Sequence, residues 1–383
     1  MGPLAGLKVI ELAGLGPTPF CGMLLGDLGA DVLRIDRLEA ADLGIDMPGK
    51  YDLRNRNKRS AAIDMKRPEG LAVLKGLIAE ADILIEGFRP GVAERLGVGP
   101  EDCRALNPRL VYGRATGWGQ DGPMAQMAGH DINYIALTGA LDCIGPADGP
   151  PVPPLNLLGD YGGGGVYLAF GLMCAVFEAR RSGQGQVVDA AMVDGVTSLM
   201  TVFHAFRQMG QLEPRRGANI LDGGAPFYTC YQTSDGRYVA VGAIETRFYR
   251  TMLDRMGIDP ASLPDRNDRA NWPALRRRFE EVFRTRTRDE WAALLEGSDA
   301  CFSPVLTLEE APRHPHNLAR GLMEERDGVA QPRPAPRFSR TPGAIARPAP
   351  ARGEHTQQAL ADWGLDPAVT AAARQAGALA DGA

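Results

Sequence analysis

The sequence predicts an α/β chain: a parallel, helix-covered sheet in the first half, then a smaller α+β domain. Three observations predict it. Short β-rich runs alternate with helix-spaced runs up to about residue 209, the pattern changes near Gly224 to a hairpin followed by helices, and 383 residues suffice for two domains that each bury a core.

Residues 7–13, 31–36, 61–66, 82–88, 110–117 and 186–192 are β-rich and predict strands. Between them, 19–28 and 68–79 predict helices, the second opened by Pro68 at the favoured first position. Such alternation implies parallel pairing, so a ligand is expected at the carboxyl ends of the strands. A helix over 194–209 leads to strands at 227–233 and 237–244, joined by Ser234-Asp235-Gly236. Helices are expected at 247–256, 272–283 and 288–295. Prolines and arginines from 331 to 350 predict extended chain, and 356–363 and 367–373 two short terminal helices. The expected domains are 1–200 (large), 201–224 (linker), 225–320 (small) and 321–383 (a segment returning to the large domain).

Hydrophobic residues at 44% and charged residues at 23% are ordinary globular values. A net charge of −5 argues against a nucleic-acid partner. No apolar run is expected to span a bilayer and the start lacks the order of a signal peptide, so a cytoplasmic location is expected. The six scattered cysteines form no C-x-x-C pair, which predicts reduced thiols and no structural zinc. His314 and His316 have no cysteine or acid cluster beside them, so no metal is expected there.

Chemistry concentrates between Gly129 and Gly165. Gly129-His130-Asp131-Ile132-Asn133-Tyr134 supplies the one histidine of the first two hundred residues, and Asp160 stands just before Gly162 to Gly165. Val166, Phe170, Met173 and Phe177 have helical spacing and predict a buried face. A carboxylate at the start of that helix faces unpaired N–H groups, which favour its ionised form, and the glycines admit a ligand close to the backbone. Asp160 and His130 are therefore either an N-cap and a satisfied polar residue at a helix start, respectively, or a pair that moves a proton between two faces of one carbon.

Two other patterns stand beside this one. The turn Ala13-Gly14-Leu15-Gly16-Pro17-Thr18-Pro19, with Asp36 further on, imitates a dinucleotide fingerprint, but prolines occupy the turn where the third glycine belongs. The basic run Arg54-Asn55-Arg56-Asn57-Lys58-Arg59, with Arg37, Arg89 and Arg95 after neighbouring strands, suits a ligand with several phosphates. Met124, Met127, Met192 and Met200 are core filler or an adaptable apolar surface.

Together, Leu4-x-Gly6-Leu7-Lys8-Val9-Ile10-Glu11-Leu12, Leu25-Gly26-Asp27-Leu28-Gly29-Ala30-Asp31-Val32 and Glu86-Gly87-Phe88-Arg89-Pro90-Gly91 resemble the family III CoA transferases. Gly185-Gln186-Val187-Val188-Asp189 and Gly353-Glu354-His355-Thr356 extend the match over essentially the whole chain. Within that family, Gly129 to Tyr134, Gly159-Asp160 and Ala243-Ile244-Glu245 resemble the branch that racemises 2-methylacyl-CoA esters. The resemblance implies a doubly wound large domain, a small domain and an interlocked homodimer. It implies that His130 and Asp160 are the acid/base pair and that Glu245 supports the histidine. It also implies that Arg37, the strand end Ile63, Asp64, Met65 and Lys66, then Gly87, Phe88 and Arg89, Arg95, and Gly129, Asp131, Ile132, Asn133 and Tyr134 hold the CoA ester. No separate cofactor is implied, because the CoA enters with the substrate. Backbone N–H groups near Asp131 and Gly162 are candidates for the enolate oxygen. In a transferase of the same family Asp160 is instead a nucleophile.

Overall fold

The computed structural model describes residues 2–39 and 47–382. The chain divides into two compact units: residues up to 138, 155–199 and from 320 on form the first, and 139–154 with 200–319 the second.

The first unit runs β1 (Lys8–Leu12), α1 (Pro17–Asp27), β2 (Asp31–Asp36), β3 (Lys58–Ile63), α2 (Pro68–Glu80), β4 (Ile83–Glu86), α3 (Val92–Arg95), α4 (Pro100–Leu106), β5 (Val111–Thr116) and α5 (Asp131–Leu137). A π-helix, Leu157–Val166, continues into α6 (Tyr167–Ser182), followed by β6 (Val187–Ala191) and α7 (Met192–Leu199). The second unit carries α8 (Thr201–Gln208), an antiparallel sheet of β7 (Tyr228–Gln232), β8 (Tyr238–Gly242) and β9 (Phe302–Pro304), and the helices α9 (Thr246–Met256), α10 (Trp272–Phe283), α11 (Arg288–Leu295) and α12 (Pro315–Arg320). The chain then returns to the first unit with the hairpin β10 (Met323–Arg326) and β11 (Val329–Pro332), α13 (Thr356–Asp362), α14 (Pro367–Gln375) and β12 (Leu379–Ala380).

Among the described residues the large sheet has the order β12-β3-β2-β1-β4-β5-β6. β1 pairs parallel with both β2 and β4, so strand order reverses at its carboxyl end, where α/β sheets open a crevice. Two apolar clusters hold it: Ile10, Leu12, Leu33 and Leu84 pack with α2, α13 and α14, while Val9, Val32, Ile85 and Val111 pack with α1 and α6.

Three expectations change. β3 begins at Lys58 rather than at residue 61, because its polar start is neutralised inside the fold: Lys58 Nζ lies 2.7 Å from Glu11, and Arg59 2.6 Å from Asp31. The expected helix over 194–209 breaks at Met200 into α7 and α8. Residues 201–224, expected as a linker, belong to the second unit together with 139–154. Gly217, Asn219 and Gly224 all donate backbone N–H groups to the Asp222 carboxylate, and Arg216 donates to the carbonyls of Asp142 and Gly149 at 2.6 and 2.7 Å. The segment 331–350 is extended as expected: it opens with the end of β11 and is fastened by Asn57, whose Oδ1 accepts the Ala346 N–H at 2.6 Å.

The long helix Leu157–Ser182 departs most. Its 26 residues are long and apolar enough by length and composition to cross a membrane, contrary to expectation, yet Leu168, Leu172, Ala175 and Ala179 pack against the sheet. Most of the face expected to be buried is turned outward instead: Val166, Phe170 and Phe177 are 47%, 69% and 67% exposed, while Met173 packs partly against the core. The glycine run serves packing rather than a ligand, since a Cβ on Gly164 would stand 2.9 Å from Pro17 and one on Gly195 1.9 Å from the Gly163 carbonyl oxygen.

Candidate active site

The loops after β1, β4 and β5 enclose a cavity of about 580 Å³ at the point where strand order reverses. Residues 15–17, 87–90 and 115–118 form three of its walls, and His130 and Asp160 reach it from α5 and the π-helix. Gly87, Phe88, Arg89, Gly129, Asn133 and Tyr134, all expected at the site, line the same space.

His130 is the N-cap of α5 and is exposed; its backbone N–H donates to Asn133 Oδ1 at 3.0 Å, which fixes the first turn beneath it. The Tyr134 ring supports this wall. It meets Trp118 edge-on at 4.7 Å, and its hydroxyl donates to the Gly129 carbonyl. A Cβ on Gly117 or Gly129 would lie 2.0 or 2.7 Å from that ring, so both positions require glycine. Burial, and after it the charge of Asp160, push the Tyr134 hydroxyl up to about 12, which keeps it a neutral donor.

Asp160 is not the cap of its helix. The N–H groups of Gly159 and Asp160 both donate to Asp131 Oδ2 at 2.7 Å, so Asp131 takes the capping role expected of Asp160. The Asp160 carboxyl is accordingly held above, not below, the ordinary aspartate range. Burial is the main cause and the Asp131 charge adds to it, against the Asn156 amide at 3.1 Å and the positive fields of His130 and Arg54. Gly16 has φ +60°, and a Cβ there would meet the Asp160 carboxylate carbon at 3.1 Å.

A charged network missed in the sequence shapes the wall that carries Arg89. Buried Glu86 accepts the Phe88 N–H at 2.6 Å and the Arg114 Nε–H at 2.8 Å, and Arg114 continues to Glu94 at 2.8 Å. Charges of opposite sign inside two adjacent apolar strands were the available signal.

Other expected ester contacts lie outside the cavity wall. Arg37 is exposed at the end of β2, Arg95 is exposed at the end of α3, and Ile132 is exposed on α5. Ile63 is buried in β3, Asp64 accepts the Lys66 N–H at 3.0 Å, and Met65 packs partly against the core. Asp131 turns its carboxylate inward, and Gly162 lies outside the wall. Glu245 is exposed at the N-cap of α9 in the second unit.

The basic run is largely structural. Arg54 pairs with Asp52 at 2.9 Å, Arg56 with Asp27 at 2.5 Å, Lys58 with Glu11, and Arg59 with Asp31 and Asp362. Asp36, the acid of the imitated dinucleotide fingerprint, accepts the Ser60 hydroxyl at 2.7 Å and pairs with Arg34 at 2.9 Å. His314 faces Glu296 at 3.0 Å.

The family model of CoA-transferase family III matches residues 4–356. The chain belongs to this family. Among relatives of this family III chain, the α-methylacyl-CoA racemase of Mus musculus is 47% identical over 364 residues, covering 94% of this chain and 93% of that protein. The human succinyl-CoA:glutarate CoA-transferase is 30% identical over 377 residues, covering 94% and 85%. A solved CaiB/BaiF family protein from Brucella suis superposes with a TM-score of 0.82 at 29% identity, covering 94% of this family III chain and 99% of its own.

Proposed function

We propose that this enzyme is an α-methylacyl-CoA racemase, an isomerase that interconverts the (2R) and (2S) forms of 2-methylacyl-CoA esters. The observation that carries the reading is the presence of both His130 and Asp160 on one cavity, in a chain 47% identical to a protein named for that reaction but 30% identical to the transferase.

The hydrogen beside a thioester carbonyl is a very weak acid, so its removal needs a positioned base. For one enantiomer His130 takes the proton, an enolate forms, and neutral Asp160 delivers a proton to the opposite face. For the other enantiomer the roles exchange. A carboxyl held above the ordinary range suits both duties, because its acid and base forms are then closer in energy near neutrality. Arg89 supplies a cation for the CoA part of the ester, on a wall fixed by Glu86 and Arg114. Arg37, Arg95 and the 63–66 turn are proposed to hold more distant parts of the same ester.

The interlocked homodimer and the cytoplasmic location belong to this proposal. The outward stripe of Val166, Phe170 and Phe177 supports a dimer, since so much exposed apolar surface on one helix calls for a cover. Glu245 is proposed as the acid that supports His130, supplied by a second copy of the chain.

The test is incubation of one enantiomer of a 2-methylacyl-CoA in deuterated water with no free acid present. Racemisation with deuterium gain is expected. No change until a free acid is added would instead identify a transferase with Asp160 as nucleophile, the activity named for the 30% relatives.

A further inference from the structure

One carboxylate joins the two elements that carry His130 and Asp160. Asp131 follows His130 directly in the chain and is 6% exposed. Its Oδ2 accepts the N–H groups of both Gly159 and Asp160 at 2.7 Å. The approach is close enough that a Cβ on Gly159 would stand 2.6 Å from that oxygen. The other oxygen, Oδ1, is buried and accepts no hydrogen bond among the described residues.

From this geometry we infer that Asp131 is a positioning residue with two effects: it fixes the spacing of the two bases, and it keeps a negative charge behind Asp160. The inference rests on the racemase reading of the site.

The spacing follows from connectivity. His130 and Asp131 are neighbours, and the Asp131 carboxylate holds the backbone N–H of Asp160 itself, so the two bases are linked through one side chain and no intervening loop. Proton delivery to opposite faces of one carbon depends on such spacing, because misplacement by about 1 Å costs on the order of a hundredfold.

The charge follows from what an uncharged residue could have done. An asparagine oxygen could accept the same two N–H bonds without leaving a charged oxygen buried and unmatched, which is costly. Charged and titratable groups face Asp160 from each element around it. His130 and Tyr134 lie on α5, Arg54 in the short 3-10 helix Leu53–Asn55, and Asn156 donates from its own segment. His130, Arg54 and Asn156 favour the carboxylate, whereas burial and Asp131 favour the neutral acid. Asp131 is therefore the one charge in this set that keeps the proton on Asp160.

Asp131→Asn keeps an acceptor for both N–H groups and removes the charge. The test follows α-hydrogen exchange against pH for the enantiomer whose exchange depends on Asp160, in variants with wild-type circular dichroism and oligomeric state. The limb that reports Asp160 ionisation is expected to move to lower pH in Asp131→Asn, an effect that a merely structural role would not produce. An unmoved limb overturns the charge effect. Gly159→Ala attacks the spacing from the other side, by placing a methyl group against Oδ2. It is expected to lower turnover on the order of a hundredfold with little change in KM; wild-type turnover overturns the spacing effect. Wild-type enzyme that exchanges no α-hydrogen sinks the racemase reading itself, whereas wild-type exchange with both variants unaltered sinks only this inference.

Discussion

Replacing Lys58 by methionine tests how the fold holds the start of α1 at the cavity. The Lys58 and Glu11 side chains are at most 1% exposed, with Nζ 2.7 Å from Glu11 Oε2. The same ammonium donates to the Pro19 carbonyl at 2.9 Å and to Asn55 Oδ1 at 3.0 Å. Methionine matches the volume but leaves a buried carboxylate alone and two acceptors unmet. Breaking a buried pair costs roughly 3–5 kcal/mol, and each stranded neutral acceptor adds on the order of 1 kcal/mol. A net loss on the order of 5 kcal/mol is expected. Urea unfolding at one fixed protein concentration measures it, since the apparent stability of the proposed dimer would depend on concentration. Glu11→Leu combined with Lys58→Met should recover most of the loss, because a pair replaced by apolar groups is close to neutral. A single-variant loss below about 1 kcal/mol would refute the reasoning. Pro19 lies in the first turn of α1, and Gly16 and Pro17 before it line the cavity, so turnover should fall with stability.

Arg89→Ala should raise KM for the CoA ester about tenfold or more, the worth of one charge-assisted hydrogen bond, with a smaller change in turnover; unchanged ester affinity by calorimetry counts against its binding role. Arg288 holds Glu310 down to about 2, so the stabilisation from this pair is present above the ordinary glutamate value and lost as pH falls toward 2. The stability gap between wild type and Glu310→Gln should close over that range, and a pH-independent gap would disprove the linkage. Sedimentation at nanomolar concentration should find no folded, fully active monomer, and finding one would remove the proposed dimer.

Much of the sheet was legible because its apolar runs are short and its turns marked. The strand at 31–36 and the helices at 272–283 and 288–295 have the bounds read from the sequence, and Pro68 opens α2 as expected. Illegible parts depend on partners distant in the chain. Lys58 and Arg59 resemble solvated charges until Glu11 and Asp31 are brought beside them, and β12 is two residues long and exists through its pairing with β3. Phe170 and Phe177 obey helical periodicity, but periodicity does not say which apolar face turns inward. At the site, His130 and Asp160 stood out by type and spacing. Their supports did not: Asp131 looks like part of a binding motif, and only the folded chain shows its carboxylate under the backbone of Asp160.

The central claim is that two different bases serve opposite faces of one carbon, and enantiomer-resolved exchange in the two single variants tests it most directly. Each pure 2-methylacyl-CoA enantiomer is incubated in deuterated water with His130→Ala or Asp160→Ala, and loss of the α-hydrogen is followed by NMR. His130→Ala is expected to lose exchange from one enantiomer and Asp160→Ala from the other, each by on the order of a hundredfold or more. Both variants should fail to racemise. Equal loss from both enantiomers in both variants, together with an acyl adduct on Asp160 trapped by hydroxylamine, would contradict it and make Asp160 a transferase nucleophile.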